Sequence, residues 1–207
     1  MIKRYATEHP NHVHQFVISV SKHLYIGKHG NILFQKKPFE IKLKNLQQAK
    51  KNHIVHYVLR DHFSGVAYVE FACVEGLIET EKFLYRAWSQ KEGFPFCGLP
   101  EAMTMPQTVI EHDPSLAEKV KSYDINLLKV TSGFQGGVRD IRTIEDKVRW
   151  FYLRKGAENT FKYLQEHSLE FCAVLNTSYD DRKSKINKWR NNIEKVYVPH
   201  KNIKECL

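Results

Sequence analysis

Apolar and β-branched residues crowd positions 12–20, HVHQFVISV, and predict a first strand. A polar connection follows, from Gly27 and Gly30 through Gln48 to Lys51. Two more apolar runs, 54–60 and 66–72, flank Asp61-His62-Phe63-Ser64-Gly65, and a glycine-containing link between two strands predicts a β-hairpin. The apolar spacing then changes to that of a helix: Leu77, Leu84, Ala87 and Trp88 share one side over 76–90. Gly93 and Pro95 end it.

A short strand is predicted over 101–105, stopped by Pro106. Asp113-Pro114 has the form of a helix start, with Asp113 as N-cap and proline in the first turn, and the helix runs over 115–123. Residues 125–130 form a compact apolar strand, and Gly133, Gly136 and Gly137 make a loop. Ile141, Ile144, Val148 and Phe151 then line one face of a helix that Gly156 interrupts. Further helices are predicted over 157–175 and 182–196, the last with Ile186, Trp189, Ile193 and Val196 on one side and its basic residues elsewhere. Mixed strands followed by alternating strand and helix predict an α/β sheet covered by helices.

Composition changes this picture little. Hydrophobic residues are 42% of 207, enough for one good-sized core. No apolar run approaches the roughly 20 residues that span a bilayer, and residues 1–10 carry charge without an apolar stretch, so the expectation is a cytoplasmic protein with no membrane partner. Cys73, Cys97, Cys172 and Cys206 form no C-x-x-C pair, which argues against a disulfide framework or a cysteine zinc site. Cys73 and Cys172 sit in apolar runs and read as small buried side chains.

Charge placement is more informative. Of the net +9, the segment from Arg182 to Lys204 has eight Lys or Arg residues against one acid, Glu194, a surplus of seven that leaves two for the rest. Such a block favours a polyanion, and nucleic acid is the commonest inside a cell, although a basic face with no specific partner would have the same composition.

Five segments carry a family resemblance. Pro10-Asn11-His12-Val13-His14-Gln15-Phe16, with Ser19 shortly after, resembles the first strand of DDE-type integrase and transposase catalytic cores. Tyr57-Val58-Leu59-Arg60-Asp61-His62-Phe63-Ser64-Gly65 resembles their second-strand signature. Gly98-Leu99-Pro100 with Met103 and Met105 resembles the approach to their fourth strand, and Gly136-Gly137-Val138 the start of the helix after their fifth. Leu175-Asn176 before a basic, Trp-containing helix resembles the tail of the same cores. The resemblance covers about residues 10–195. It implies an RNase H-like mixed five-stranded sheet flanked by helices over residues 1–155, and a basic helical extension over 156–207 packed on it.

The family's chemistry uses three carboxylates to hold two Mg²⁺ ions, which activate the attacking and leaving oxygens of a phosphodiester. The resemblance puts those positions at Val17, Pro106 and Arg139. A methyl-lined side chain and an imino ring offer no ligand, and a permanently protonated guanidinium at ~4 Å from a metal costs several kcal/mol. No catalytic residue, metal or cofactor is therefore expected; Mg²⁺ enters only if a slip of one residue makes Asp140 the third acid. Asp61 and Asp113 could serve in such a displaced site, but each has a sufficient local role, in a turn and at a helix cap.

Other constellations are weaker. His12 and His14 alternate onto one face of a strand, but no third zinc ligand is spaced to join them. Ser64 beside His62 is no nucleophile pair, since neighbours on a strand or turn point apart. Arg142, Lys147, Arg149, Arg154 and Lys155 read as a solvated helix face with local pairs such as Asp146–Arg149 and Glu145–Arg149. Arg139 is the exception, because a cation in a former metal site can take a phosphate.

The nucleic-acid candidates are thus Arg139 together with the strip Arg182, Lys183, Lys185, Lys188 and Arg190, while Trp189 reads as packing. Three functions fit. The chain is a catalytically silent integrase-like core that binds DNA, accompanying or regulating a mobile-element recombinase or associating with itself. It is an active metal-dependent strand transferase with displaced acids. Or it is a protein-interaction scaffold.

Overall fold

The computed structural model describes residues 7–40, 43–128, 143–151, 159–177, 184–195 and 197. Its centre is β1 (Val13–Ile26), which pairs antiparallel with β3 (Asn52–Asp61) on one side and parallel with β5 (Ala102–Thr104) on the other. β4 (Ala67–Cys73) extends the sheet antiparallel beyond β3, and β6 (Asn126–Leu128) extends it parallel beyond β5, giving the order β4-β3-β1-β5-β6. The parallel pairs require crossovers, which helices supply.

The sheet has six strands rather than the expected five. The sixth, β2 (Ile32–Phe34), pairs with the far end of β1, Leu24 opposite Phe34. β1 reaches it because its register with β3 shifts between Val20 and Tyr25, a bulge that lets the strand run on past the core. Gly30, at φ 79°, turns the chain back. This element escapes a hydrophobic pattern search because it has three residues, two of them exposed. A 3-10 helix (Leu43–Gln48) follows and buries Leu43 and Leu46 in the main core.

The alternation of the central strands sends side chains to two covered faces. On one face α1 (Thr80–Trp88) inserts Phe83 among Phe16, Tyr57 and Tyr68 at ring separations of 5.5–5.6 Å. On the other, Phe71 meets Phe171 of α6 (Ser168–Asn176) edge-on at 5.0 Å, and Phe171 meets Phe151 of the helix at 143–151. Numbering in chain order makes α2 Gln107–His112, α3 Leu116–Ser122, α4 the helix at 143–151, and α5 Phe161–Glu166. Ile144, Val148 and Phe151 are buried along α4, as their spacing predicts.

Three local expectations need correction. The helix expected over 115–123 forms as α3, but Asp113 is not its N-cap. A separate helix, α2, begins directly after Pro106 and ends on Asp113, its C-cap, whose amide donates to the Val109 carbonyl (2.9 Å) and whose carboxylate accepts from the Ser115 hydroxyl (2.8 Å); Ser115 holds the N-cap position of α3. The helix expected over 157–175 is α5 and α6, broken at His167. The helix expected over 182–196 is described as α7 (Lys185–Arg190), capped by Ser184, whose hydroxyl accepts from the Asn187 amide; it ends in a turn at Asn191-Asn192. Ile186 and Trp189 are buried as expected.

Two polar networks fix the sheet. Asp61 closes the β3–β4 hairpin from inside: its carboxylate accepts from the Asn11 amide (2.9 Å) and from both the amide and the hydroxyl of Ser64 (2.6 and 2.5 Å). At the sheet's edge, α6 supplies side chains to the outer backbone groups of β4. Asn176 accepts from the Ala67 amide (2.8 Å) and donates to the Ala67 carbonyl (2.7 Å), and the Cys172 thiol pairs with the amide and carbonyl of Val69. Gln165 donates to the Phe71 carbonyl. An edge strand with every second residue satisfied by a helix is closed to further strands. Cys172 is buried as its apolar run predicts, whereas Cys73 is half-exposed.

Replacing Asn176 by Ala leaves two buried backbone groups of Ala67 without partners. The expected loss is about 2–4 kcal/mol, read as a fall in the urea midpoint with little change in slope.

Candidate functional site

The sequence places the family's first two acids at Val17 and Pro106, and the fold sets these residues side by side. β1 and β5 are in parallel register, His14 with Met103 and Gln15 with Thr104. Carried two residues further, that register puts Val17 level with Pro106. Pro106 has no N–H and cannot extend the ladder, so β5 stops at Thr104 and Pro106 becomes the residue from which α2 starts. Val17 is opposite Val58, on the same face as Ser19, His56 and Phe71, which is the face covered by α4 and α6. It is 8% exposed, a packed core side chain. Neither residue carries an oxygen that could hold a divalent ion, so the residues present do not fit a two-metal centre at these positions.

Arg139 and Asp140 lie outside the described residues. The acid that α4 does bring to β1 is Glu145, which sequence reasoning assigned to a surface pair with Arg149. It is buried and accepts from the Ser21 hydroxyl (2.5 Å) and the Lys22 amide (2.8 Å), at the bulge four residues beyond Val17. Ser21 in turn accepts from the Leu24 amide (2.8 Å). Glu145 thus fixes the bulge to the helix, and both of these donors lie on β1. A lone acid in an otherwise apolar helix stripe was the available signal. Among the described residues no group of three or more His, Cys, Asp or Glu side chains is close enough to hold a metal ion.

The buried histidines have other partners. His14 receives the indole N–H of Trp88 on Nδ1 (3.3 Å) and therefore donates from Nε2 to Asn11 (2.9 Å), while Asn11 donates to the Cys97 carbonyl. Both nitrogens are engaged in the neutral form, and burial pushes the pKa down to about 3. His56 is also fully buried, beside Phe71, and neither ring nitrogen has a hydrogen-bond partner. Burial holds its pKa well below 6.5, although Glu145 pulls the other way.

Of the basic strip, Arg182 and Lys183 lie outside the described residues, as do Arg142, Arg154 and Lys155. Arg190 is exposed on α7, and Lys185 is half-buried. Lys188 is exposed but engaged: its ammonium donates to the Phe63 carbonyl (2.5 Å) and lies 4.3 Å from the Phe63 ring centre, pinning α7 to the hairpin turn. The expected Glu145–Arg149 and Asp146–Arg149 pairs do not form; the Arg149 guanidinium lies 5.0 Å from the ring centre of Phe34, on β2. Residues 22–51, which include the polar connection from Gly27 to Lys51, hold eight lysines and one acid, Glu40. Their surplus of seven equals that of the C-terminal block and is hidden in the whole-chain sum by acids elsewhere.

The order of the strands and the helices on both faces define an α/β fold of the RNase H-like type. Solved structures agree. The HTLV-2 integrase catalytic core domain in complex with magnesium, in its trimeric form, superposes with a TM-score of 0.55 at 16% identity, over 89% of this chain and 98% of that one. The dimeric form gives 0.52 at 17% identity, over 86% and 97%. A chain of the simian T-cell lymphotropic virus intasome in complex with the PP2A regulatory subunit B56 gamma gives 0.59 at 11% identity, over 98% of this chain and 62% of that one. No family model matches the sequence, and no curated protein matches it. At these identities the likeness is one of fold: the chain has the fold of retroviral integrase catalytic cores. No helix among the described residues is long and apolar enough to cross a membrane.

The histidines predict a pH dependence. A depressed histidine pKa means that the unfolded chain binds protons the folded one refuses, so stability is complete above about pH 6.5 and is lost as pH falls toward the folded value. Replacing His56 by Leu is expected to raise stability at pH 7 by about 1 kcal/mol, by removing unpartnered nitrogens, and to flatten its decline between about pH 6.5 and 4.5. Urea melts of both proteins across that range check it.

Proposed function

We propose that this protein is an integrase-like core that binds nucleic acid through phosphate contacts and performs no strand transfer. The observation that carries the reading is the parallel register of β1 and β5, which, continued two residues, brings Val17 level with Pro106 where the family's first two metal-binding acids are expected. Two Mg²⁺ ions held close together need carboxylates to offset their charge, and two of the three positions hold apolar groups. The HTLV-2 neighbour is a complex with magnesium; the residues of this chain do not supply a comparable donor set at Val17 and Pro106. Arg139 at the third position would favour a phosphate over a metal.

Nucleic-acid binding is supported by the basic block from Arg182 to Lys204, with Arg190 exposed on α7. The similar solved chains include dimeric and trimeric forms and an intasome, which supports self-association or assembly beside an active recombinase of the same element. A cytoplasmic location fits the free cysteines, since such thiols persist in reducing compartments.

Duplex binding is expected at low salt, weakening as salt rises with a log–log slope of roughly −3 to −6, from about −0.9 per neutralised phosphate. A salt series by fluorescence anisotropy measures it, and absent or salt-independent binding ends the proposal. Incubation of supercoiled and end-labelled DNA with Mg²⁺ or Mn²⁺ is expected to give neither nicking nor joining. Divalent-dependent cleavage that disappears on Asp140→Asn would instead establish the displaced-acid enzyme.

A further inference from the structure

The lysine-rich segment that the charge sum conceals is folded into a lobe with unusual chemistry. Seven of its eight lysines are among the described residues; all seven are exposed, and none forms an ion pair with a described residue. Lysines kept apart from acids repel one another, and such a concentration is stabilised by an anion that fills the gaps between them.

The same lobe exposes apolar rings. Only four large hydrophobic side chains are exposed among the described residues, and three of them lie on β2 and α4: Leu33 (37%), Phe34 (52%) and Trp150 (38%). Phe34 is stacked with His23 (5.3 Å between ring centres, 19° apart) and lies under the Arg149 guanidinium. The Lys147 ammonium lies 5.2 Å from the Trp150 ring centre, and that of Lys51 lies 4.0 Å from the ring centre of Tyr25. Hydrophobic rings interleaved with cations, on a surface that otherwise keeps such groups inside, form a platform for flat, anionic polymers.

Phosphates alone would be served by the lysines. The rings add a preference, because a duplex keeps its bases stacked internally and offers them no face, whereas an unpaired base has one to give. We infer that the lobe formed by the far end of β1, β2 and the exposed face of α4 binds single-stranded nucleic acid, with Lys36 and Lys37 on the backbone and a base added to the stack that Phe34 forms with His23 and Arg149. The inference rests on the nucleic-acid reading above and gives it a second surface. The lobe continues β1 past its bulge, where Leu24 to Ile26 pair with β2.

Anisotropy titrations of the full chain with a labelled oligothymidine of about 20 nucleotides, and with a duplex of equal length, test this. Phe34→Ala is expected to weaken single-strand binding roughly tenfold and duplex binding less than about twofold, the scale of one lost base stack. Lys36→Glu/Lys37→Glu is expected to weaken single-strand binding and flatten its salt dependence by about one to two in log–log slope. Phe34 and both lysines are exposed, so the variants should melt like the wild type, which circular dichroism checks. If the wild type binds DNA but both variants stay within about twofold for the single strand, the lobe is not the site and only this inference falls. If the wild type binds neither form at low salt, the nucleic-acid reading falls with it. If Phe34→Ala weakens both forms equally, the preference for unpaired bases is overturned.

Discussion

A three-residue parallel ladder, Val13 to Gln15 against Ala102 to Thr104, joins the antiparallel half of the sheet to the parallel half. Its register decides what stands beside what at the strand ends. Parallel strands cannot be joined by a tight turn, so the chain between β1 and β5 must make the hairpin and α1 before it returns. Val17 and Pro106 are far apart in sequence, and only this ladder makes them neighbours. The proline also sets the ladder's length, since without an N–H it ends β5 and begins α2. A carboxylate followed by glycine there would let the backbone turn differently.

The polar groups in the interior are arranged to hold elements together. Glu145 binds the bulge of β1 from α4, Asp61 binds the hairpin turn and Asn11, and Asn176 covers the outer edge of β4. Each sits where removal of the partner would strand a buried donor, the costly side of the hydrogen-bond balance. The buried carboxylates among the described residues are therefore occupied: Asp61 and Glu145 with backbone and hydroxyl groups, and Glu70 with the Arg86 guanidinium and the Tyr68 hydroxyl. His14 is similarly committed, between Trp88 and Asn11. His56 is different: a buried ring with no partner beside the Val17 face, carried at a cost in stability for which the packing around it gives no reason.

Charge is distributed in two basic segments of equal surplus that the rest of the chain offsets. One spans 182–204, and the other runs from the far end of β1 to the start of β3. Cations on a rigid framework raise the local concentration of a polyanion by long-range attraction, and exposed rings then discriminate among the polyanions that arrive. α7 shows that basic composition and availability are separate matters, for Lys188 spends its charge on the Phe63 carbonyl and ring while Arg190 faces solvent.

The sequence by itself determined the α/β class, the β3–β4 hairpin, the buried stripes of α1 and α4, and the packing role of Trp189. These depend on local periodicity and turn residues, which a single segment carries. It also named Val17 and Pro106 as the positions to compare, through segment resemblance. It could not find β2, whose three residues have too little pattern, nor the break at His167, which follows from how α5 and α6 dock on β4. The roles of Glu145 and Asn176 were likewise out of reach, because their partners are more than a hundred residues away and a buried acid looks in sequence like any surface acid. Tertiary structure alone decided those, since a polar side chain in the interior is placed by the distant donor or acceptor that satisfies it.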